Sequence, residues 1–371
     1  MKAGPIAIVL CLGMLGCGDS GGVDGGLPSD DAVGNPVADL ASQRRPDLAV
    51  HDLATPIRPV DLAVPESPAD FAVPPPPPLT TAVSVFVEPD SGIAPVLSAI
   101  KGAKASLHIE LYLLTDNTII GAIESAQNRG VDVKVILEQH PNAGSNNAVF
   151  NQLQGAGVAA EWGNPTFMFT HEKAMIIDGK TLWAMTMNLS AAAVSGNREY
   201  LLVDTDLADV AEAEAVFEAD WNRQKSSAIK LVVSPENSGS RIGALITGAQ
   251  NEIDIEWEEF SDNALGSEVQ QRIKAGVKVK IVVPNTIMGT ATLPLMMALR
   301  NGGAEVRLLG NPFPHAKLVL VDRARGFIGS ENATSTSLHL NRELGVAWES
   351  AAVAKDTGAA FDSDFAAGAP L

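Results

Sequence analysis

Two α/β halves related by a pseudo-twofold axis, each built on a mainly parallel sheet flanked by helices, are the fold that three observations predict. A strand–helix–strand pattern occurs twice, and each time a glycine leads into the second strand. One set of polar residues also recurs at a fixed offset: His171, Lys173, Asp178, Asn188 and Glu199 return as His315, Lys317, Asp322, Asn332 and Glu343, each 144 positions on (315 less 171). Finally, 371 residues with 46% hydrophobic content can fill two cores of ordinary size.

Taken in chain order, residues 1–16 have the layout of an export signal: Met1-Lys2, an apolar run from Pro5 to Leu15, then Gly16 ahead of Cys17. The run is shorter than the roughly 20 apolar residues of a membrane-spanning helix. Met14-Leu15-Gly16-Cys17 resembles the lipobox of bacterial lipoproteins, which implies a lipidated Cys17 and a chain anchored in the cell envelope; an ordinary cleaved signal, giving a secreted or periplasmic chain, is the alternative. Cys11 and Cys17 are the only cysteines, so cleavage leaves one and excludes an intrachain disulfide. Residues 17–80 carry Asp-Leu-Ala at 39, 47, 52 and 61 and an unbroken proline run from Pro74 to Pro78. Such a segment buries too little to offset its ordering entropy and is predicted to be a disordered tether.

The two halves are expected over residues 81–225 and 226–371. In the first, the alternation from Ser106 to Tyr112 predicts a strand, Asn117–Asn128 a helix, and Val131–Leu137, entered through Gly130, a buried strand. In the second, the same order runs through Glu252–Glu258, Ala264–Ala275 and, after Gly276, Val277–Val283. Strand, helix, strand in succession makes a βαβ unit with parallel strands.

Each half then has an apolar strand leading to a turn. Phe167–Ile177 is the strand, Asp178-Gly179 a two-residue hairpin turn, and Lys180–Asn188 the return. That register places His171 opposite Thr186 and Lys173 opposite Ala184, so His171, Lys173, Thr186 and Asn188 share one face. The same spacing groups His315, Lys317, Ser330 and Asn332. An imidazole offers a nucleophile or a proton near neutral pH, and ammonium and amide groups hold phosphate oxygens. Asp178 and Asp322 fall at the turns with the opposite parity and are read as structural.

These residues resemble the two H-x-K-x4-D motifs of the phospholipase D superfamily: His171-Glu-Lys173-Ala-Met-Ile-Ile-Asp178 and His315-Ala-Lys317-Leu-Val-Leu-Val-Asp322. Each continues to an Asn and then to Asn-Arg-Glu, at 197–199 and 341–343. The resemblance spans about residues 81 to 355. It implies a phosphodiesterase needing no metal or other cofactor and working through a phosphohistidine, with His171 as nucleophile and His315 as acid and base by family habit, while the symmetry of the two motifs leaves that order open. Lys173, Lys317, Asn188 and Asn332 would stabilise the transition state, and Glu199 and Glu343 would orient the imidazoles, in either pairing.

The expected substrate is a phospholipid, hydrolysed or transferred to another alcohol. A nuclease acting on single-stranded nucleic acid and a cardiolipin-synthase-type phosphatidyltransferase are the alternatives. A net charge of −18 repels phosphate backbones and weighs against broad nucleic-acid binding. Two motifs in one chain make the site complete in a monomer. Met185 stands where the second half has Gly329, a bulkier residue expected to narrow the pocket. Trp257 is read as a buried ring, with reception of a cationic headgroup as its functional alternative. His108, His140 and His339 lack metal-ligand spacing and are read as packing or surface residues.

Overall fold

The computed structural model describes residues 77–141 and 145–371. The expected signal, Cys17 and nearly all of the tether lie outside the described residues. Leu79 and Thr80, the last residues assigned to the tether, pack on the second half: Leu79 against its core, and Thr80 through its carbonyl to the amide of Glu349.

The first half runs β1 (Val83–Glu88), α1 (Ala94–Gly102), β2 (Ser106–Leu111), α2 (Asn117–Asn128), β3 (Asp132–Leu137), α3 (Asn147–Gly155) and β4 (Ala159–Trp162). It continues with β5 (Lys173–Ile177), β6 (Thr181–Met185), α4 (Ala191–Gly196), β7 (Asn197–Asp204) and α5 (Leu207–Trp221). The second half repeats the order with β8 (Val232–Ser234), α6 (Ser238–Thr247), β9 (Glu252–Trp257), α7 (Asn263–Lys274), β10 (Lys278–Pro284), α8 (Thr292–Gly302) and β11 (Glu305–Leu309). A short β12 (Phe313–Pro314) precedes β13 (Lys317–Val321), β14 (Arg325–Gly329), α9 (Ser335–His339), β15 (Glu343–Glu349), α10 (Ala351–Ala367) and β16 (Ala369–Pro370).

Local chemistry explains the repeated βαβ units. Asp116 caps α2 by accepting from the amides of Thr118 and Ile119, and Ile119, Ile123 and Ala126 form its buried stripe. Asp262 caps α7 in the same way, accepting from Leu265. Both helices end in a glycine at positive φ, Gly130 at 85° and Gly276 at 89°, a conformation that glycine adopts at little cost as the chain turns into β3 or β10.

The sheets are mixed, and the expectation of mainly parallel sheets is corrected. The first has the order β1-β7-β6-β5-β2-β3-β4, and the second β8-β15-β14-β13-β9-β10-β11-β16, the same order extended by one edge strand. Along these two orders, among the described residues, the parallel runs are β2-β3-β4 and β9-β10-β11. β5 and β13 add antiparallel to β2 and β9; each is joined to β6 or β14 by a tight turn, which permits only antiparallel neighbours, and β7 and β15 follow antiparallel.

Each sheet buries one face under helices of its own half and the other in a layer shared with the other half, which α5 and α10 also enter. Ile176, Leu182, Ala184 and Leu202 meet Leu318, Leu320, Ile328 and Val346 in a shared apolar layer. Full burial of each large aliphatic side chain there contributes about 1.5–3 kcal/mol. That layer brings β5 and β13, which open the two motifs, to one place.

The hairpin register differs by one residue from the two-residue turn. Ile177 pairs with Thr181 and Ala174 with Ala184, leaving a three-residue loop, 178–180; Val321 pairs with Arg325 in the second half. The extra residue follows from Asp178 and Asp322, both at positive φ (56° and 52°). Asp178 accepts from the amides of Lys104, Ala105 and Ser106 at 2.9, 2.6 and 3.1 Å. Asp322 does so from Gln250, Asn251 and Glu252 at 3.0, 2.6 and 3.1 Å. These bonds hold both carboxyls below the usual range despite partial burial, and tie each turn to the entry of β2 or β9. The shifted register turns Lys173 and Thr186 to opposite faces. Met185 accordingly points into the first core rather than narrowing a pocket.

Candidate active site

The segment ahead of each motif pairs with the Asn-Arg-Glu segment of the other half. β12 runs parallel to β7, setting Phe313 beside Asn197 and Pro314 beside Arg198; a matching bridge joins Thr170 to Arg342. The amide of His171 donates to the carbonyl of Arg342 at 2.9 Å. This exchange fixes the pairing of acids and imidazoles, and it is crossed.

His171 Nδ1 lies 2.9 and 2.8 Å from the two oxygens of Glu343, and His315 Nδ1 lies 2.8 and 3.0 Å from those of Glu199. Both glutamates are fully buried. Glu199 also accepts from Thr186 Oγ1 at 2.5 Å and Asn197 Nδ2 at 3.0 Å, and Glu343 from Ser337 Oγ at 2.5 Å and Asn341 Nδ2 at 3.0 Å. Ser330 Oγ, the register counterpart of Thr186, accepts from the amide of Leu344 at 3.1 Å.

Burial is the largest single influence on His171, Lys173 and Glu343, and it prevails at the first two. It lowers His171, Glu343 opposes the shift, and the Lys173 and Lys317 charges add to it, so the ring is favoured neutral. Burial likewise takes Lys173 down to about 7 against the pull of Glu343. Glu343 itself stays below the usual carboxylate range, because His171 and Lys173 outweigh its burial.

Both lysines lie beneath the cleft floor with no exposed surface. Each ammonium donates to the carbonyl of its own motif histidine at 2.6 Å. Their remaining environments differ. Lys173 Nζ lies 5.2 Å from the centre of the Tyr112 ring, which also meets the His171 ring edge-on at 4.6 Å. Lys317 Nζ instead donates to Glu258 at 2.8 Å.

His171, His315, Asn188 and Asn332 open into one cleft of about 450 Å³ with Tyr112, Phe169, Glu258, Glu259 and a rim that includes Thr334 and Asn341. Lys173, Lys317, Thr186, Ser330, Glu199 and Glu343 support it from below, and Asp178 and Asp322 lie at the far ends of the hairpins. Trp257 is fully buried and donates from Nε1 to the carbonyl of Glu331 at 3.0 Å, so it cannot receive a headgroup. Of the other histidines, His108 bonds Glu214 at 2.7 Å and stacks on Phe217, while His140 and His339 are exposed.

Behind the site, Arg198 and Arg342 extend the crossing. Arg198 donates to Asp364 at 2.5 and 3.0 Å; Arg342 pairs with Asp220 at 2.7 Å and Glu236 at 2.9 Å. Glu110 and Glu172 converge with Asp220 beside Arg342. Burial raises Glu172 to about 8 and Asp220 to about 6, with Arg342 opposing both shifts.

Several contributors had no assigned role in the sequence. Asn197 and Asn341 were visible, since they open the two repeated Asn-Arg-Glu triplets. Ser337 has Ala193 as its counterpart 144 positions earlier, so no repeat marked it. Tyr112 and Glu258 are structural equivalents, each one residue beyond the partner of the motif lysine (Leu111 with Lys173, Trp257 with Lys317). They differ in chemistry and stand 146 apart (258 less 112), outside the common offset.

Comparison with known proteins agrees with the division into two halves. The family described as "Cardiolipin synthase, PLD-like domain" matches residues 96–221 and 242–365, one stretch in each half. The cardiolipin synthase of Oceanobacillus iheyensis is 26% identical over 306 residues, covering 71% of this chain and 64% of that protein's length. Among solved structures, the phosphatidylserine synthase of Haemophilus influenzae superposes with a TM-score of 0.60 at 13% identity, covering 78% of this chain and 87% of that one. The polyphosphate kinase of Porphyromonas gingivalis does so with 0.61 at 14%, covering 76% and 46%; these two likenesses concern the fold. With a family match in both halves, each contributing a histidine to one cleft, the chain belongs to the phospholipase D-like family of cardiolipin synthase.

Proposed function

We propose that the chain transfers phosphatidyl groups through a phosphohistidine, in the manner of a cardiolipin synthase. The observation that carries this reading is the crossed pair of histidine–glutamate contacts on one cleft. Neutral His171, its Nδ1 proton held by Glu343, presents the Nε2 lone pair to phosphorus. The Nε2–P bond forms as the ester P–O bond breaks, and His315 gives its proton to the departing alkoxide. His315, now neutral, takes the proton of an incoming hydroxyl, whose oxygen displaces His171 from phosphorus.

Lys173, Lys317, Asn188 and Asn332 offset the charge that develops on the phosphoryl oxygens. Cardiolipin is two phosphatidyl groups joined by glycerol, so phosphatidylglycerol is the acceptor whose hydroxyl yields it. Water is the competing acceptor, and the polar rim of Thr334, Thr336 and Asn341 favours hydrolysis to phosphatidate as the second reading. Lipidation of Cys17 would hold the site at a membrane surface; an unmodified Cys17 in the mass spectrum of the native protein would remove that part of the proposal.

The test is incubation of the protein with phosphatidylglycerol vesicles in chelator. Cardiolipin and glycerol from the wild type, and neither from His171→Ala, are expected. Phosphatidate alone makes the protein a hydrolase, and equal products from the variant overturn the reading.

A further inference from the structure

The two halves of the cleft differ in one respect that their symmetry does not require. On the His315 side a single oxygen, Glu258 Oε2, lies 2.8 Å from Lys317 Nζ, 3.3 Å from His315 Nε2 and 3.3 Å from Asn332 Nδ2. These three groups are the lysine, the reacting histidine nitrogen and the amide that would bind a phosphoryl oxygen. On the His171 side the equivalent residue is Tyr112, whose ring packs against His171 and Lys173 and brings no anion.

We propose that Glu258 is an internal occupant of the phosphate seat, which a substrate phosphodiester must displace. This inference rests on the phosphodiester reading of the site and deepens it by naming a specificity-determining residue. Burial alone would raise the Glu258 carboxyl, but the His315 and Lys317 charges and the Lys317 hydrogen bond hold it well below the usual range, so it is an anion at neutral pH. Its side chain retains 24% exposure and borders the cleft, which leaves space to swing aside.

A carboxylate in the seat raises the threshold for binding any anion. A small phosphate has only its charge with which to displace Glu258. A phospholipid adds contacts from the rest of the molecule, so binding energy remote from phosphorus opens the seat. The device thus discriminates against inorganic phosphate and phosphate monoesters in favour of diesters with a large body.

The experiment measures binding of inorganic phosphate to the folded full chain by titration calorimetry, with Glu258→Gln and Glu258→Asp beside the wild type. Removing the competing anion is expected to tighten phosphate binding by at least about tenfold in Glu258→Gln. Glu258→Asp keeps the charge but shortens the reach, so it is expected to tighten binding as well; wild-type affinity in Glu258→Asp with tightening in Glu258→Gln would show general repulsion and overturn the occupancy claim. Unchanged or weaker binding in both variants also overturns it. If neither variant folds, a wild-type crystal grown in phosphate decides: phosphate on Lys317 and Asn332 with Glu258 turned away supports the proposal, and Glu258 still on Lys317 with phosphate elsewhere overturns it. These readouts do not need turnover, so failure of the vesicle assay with tightened phosphate binding would count against the transferase reading alone.

Discussion

Glu343→Gln isolates the crossed pairing, because it preserves volume while removing one charge and reversing one hydrogen bond. In the wild type Glu343 accepts from His171 Nδ1, Ser337 and Asn341. With Ser337 and Asn341 competing for the one amide oxygen left, the glutamine amine faces His171 and donates to Nδ1. The ring proton then moves to Nε2, the atom proposed to attack phosphorus. A charge-assisted bond to a buried group contributes about 1.5–3 kcal/mol, and if that is lost from the transition state the rate falls about 10- to 150-fold.

The assay is kcat on phosphatidylglycerol vesicles, with imidazole proton resonances followed against pH. Glu343 raises the His171 pKa, so its removal moves that group further down. A folded Glu343→Gln that retains more than half of wild-type kcat, or that leaves the His171 resonance titrating as in the wild type, would refute the crossed arrangement.

Arg342→Ala should destabilise the protein by about 3–5 kcal/mol in urea unfolding, because it strands Asp220 and Glu236 without their cation. Glu172 tests the sign of a pH effect. Burial first, then Asp220, raises its carboxyl from 4.5 to about 8, so folding takes up a proton between those values and stability falls as pH rises from about 5 to 8; Glu172→Gln should flatten that part of the urea-midpoint profile. Leu318→Ala, in the apolar layer between the sheets, should lose about 2–5 kcal/mol by the same measurement.

Much of this arrangement was legible because duplication writes it twice. The offset of 144 paired every motif residue, and Gly130, Gly276 and the helix between Asn117 and Asn128 were evident from local chemistry alone. The sheets were misjudged where a local rule was extended too far: the βαβ units are parallel, but the hairpins that carry His171 and His315 are antiparallel by geometry. The register shifted because Asp178 spends its carboxyl on three amides more than 70 residues away, which lengthens the loop by one. The pairing of Glu199 with His315 depends on β12 lying beside β7, a contact between halves that no local pattern encodes. Glu258 escaped assignment because it breaks the repeat that revealed the others.

The most direct test of the account is to quench the enzyme during turnover of phosphatidylglycerol, digest it under alkaline conditions that preserve phosphohistidine, and map the adduct by mass spectrometry. A phosphatidyl or phosphoryl group is expected on His171 in the wild type, accumulating in His315→Ala when a donor with a good leaving group is supplied, and absent from His171→Ala. An adduct on any other side chain, or turnover by His171→Ala with none, would contradict it.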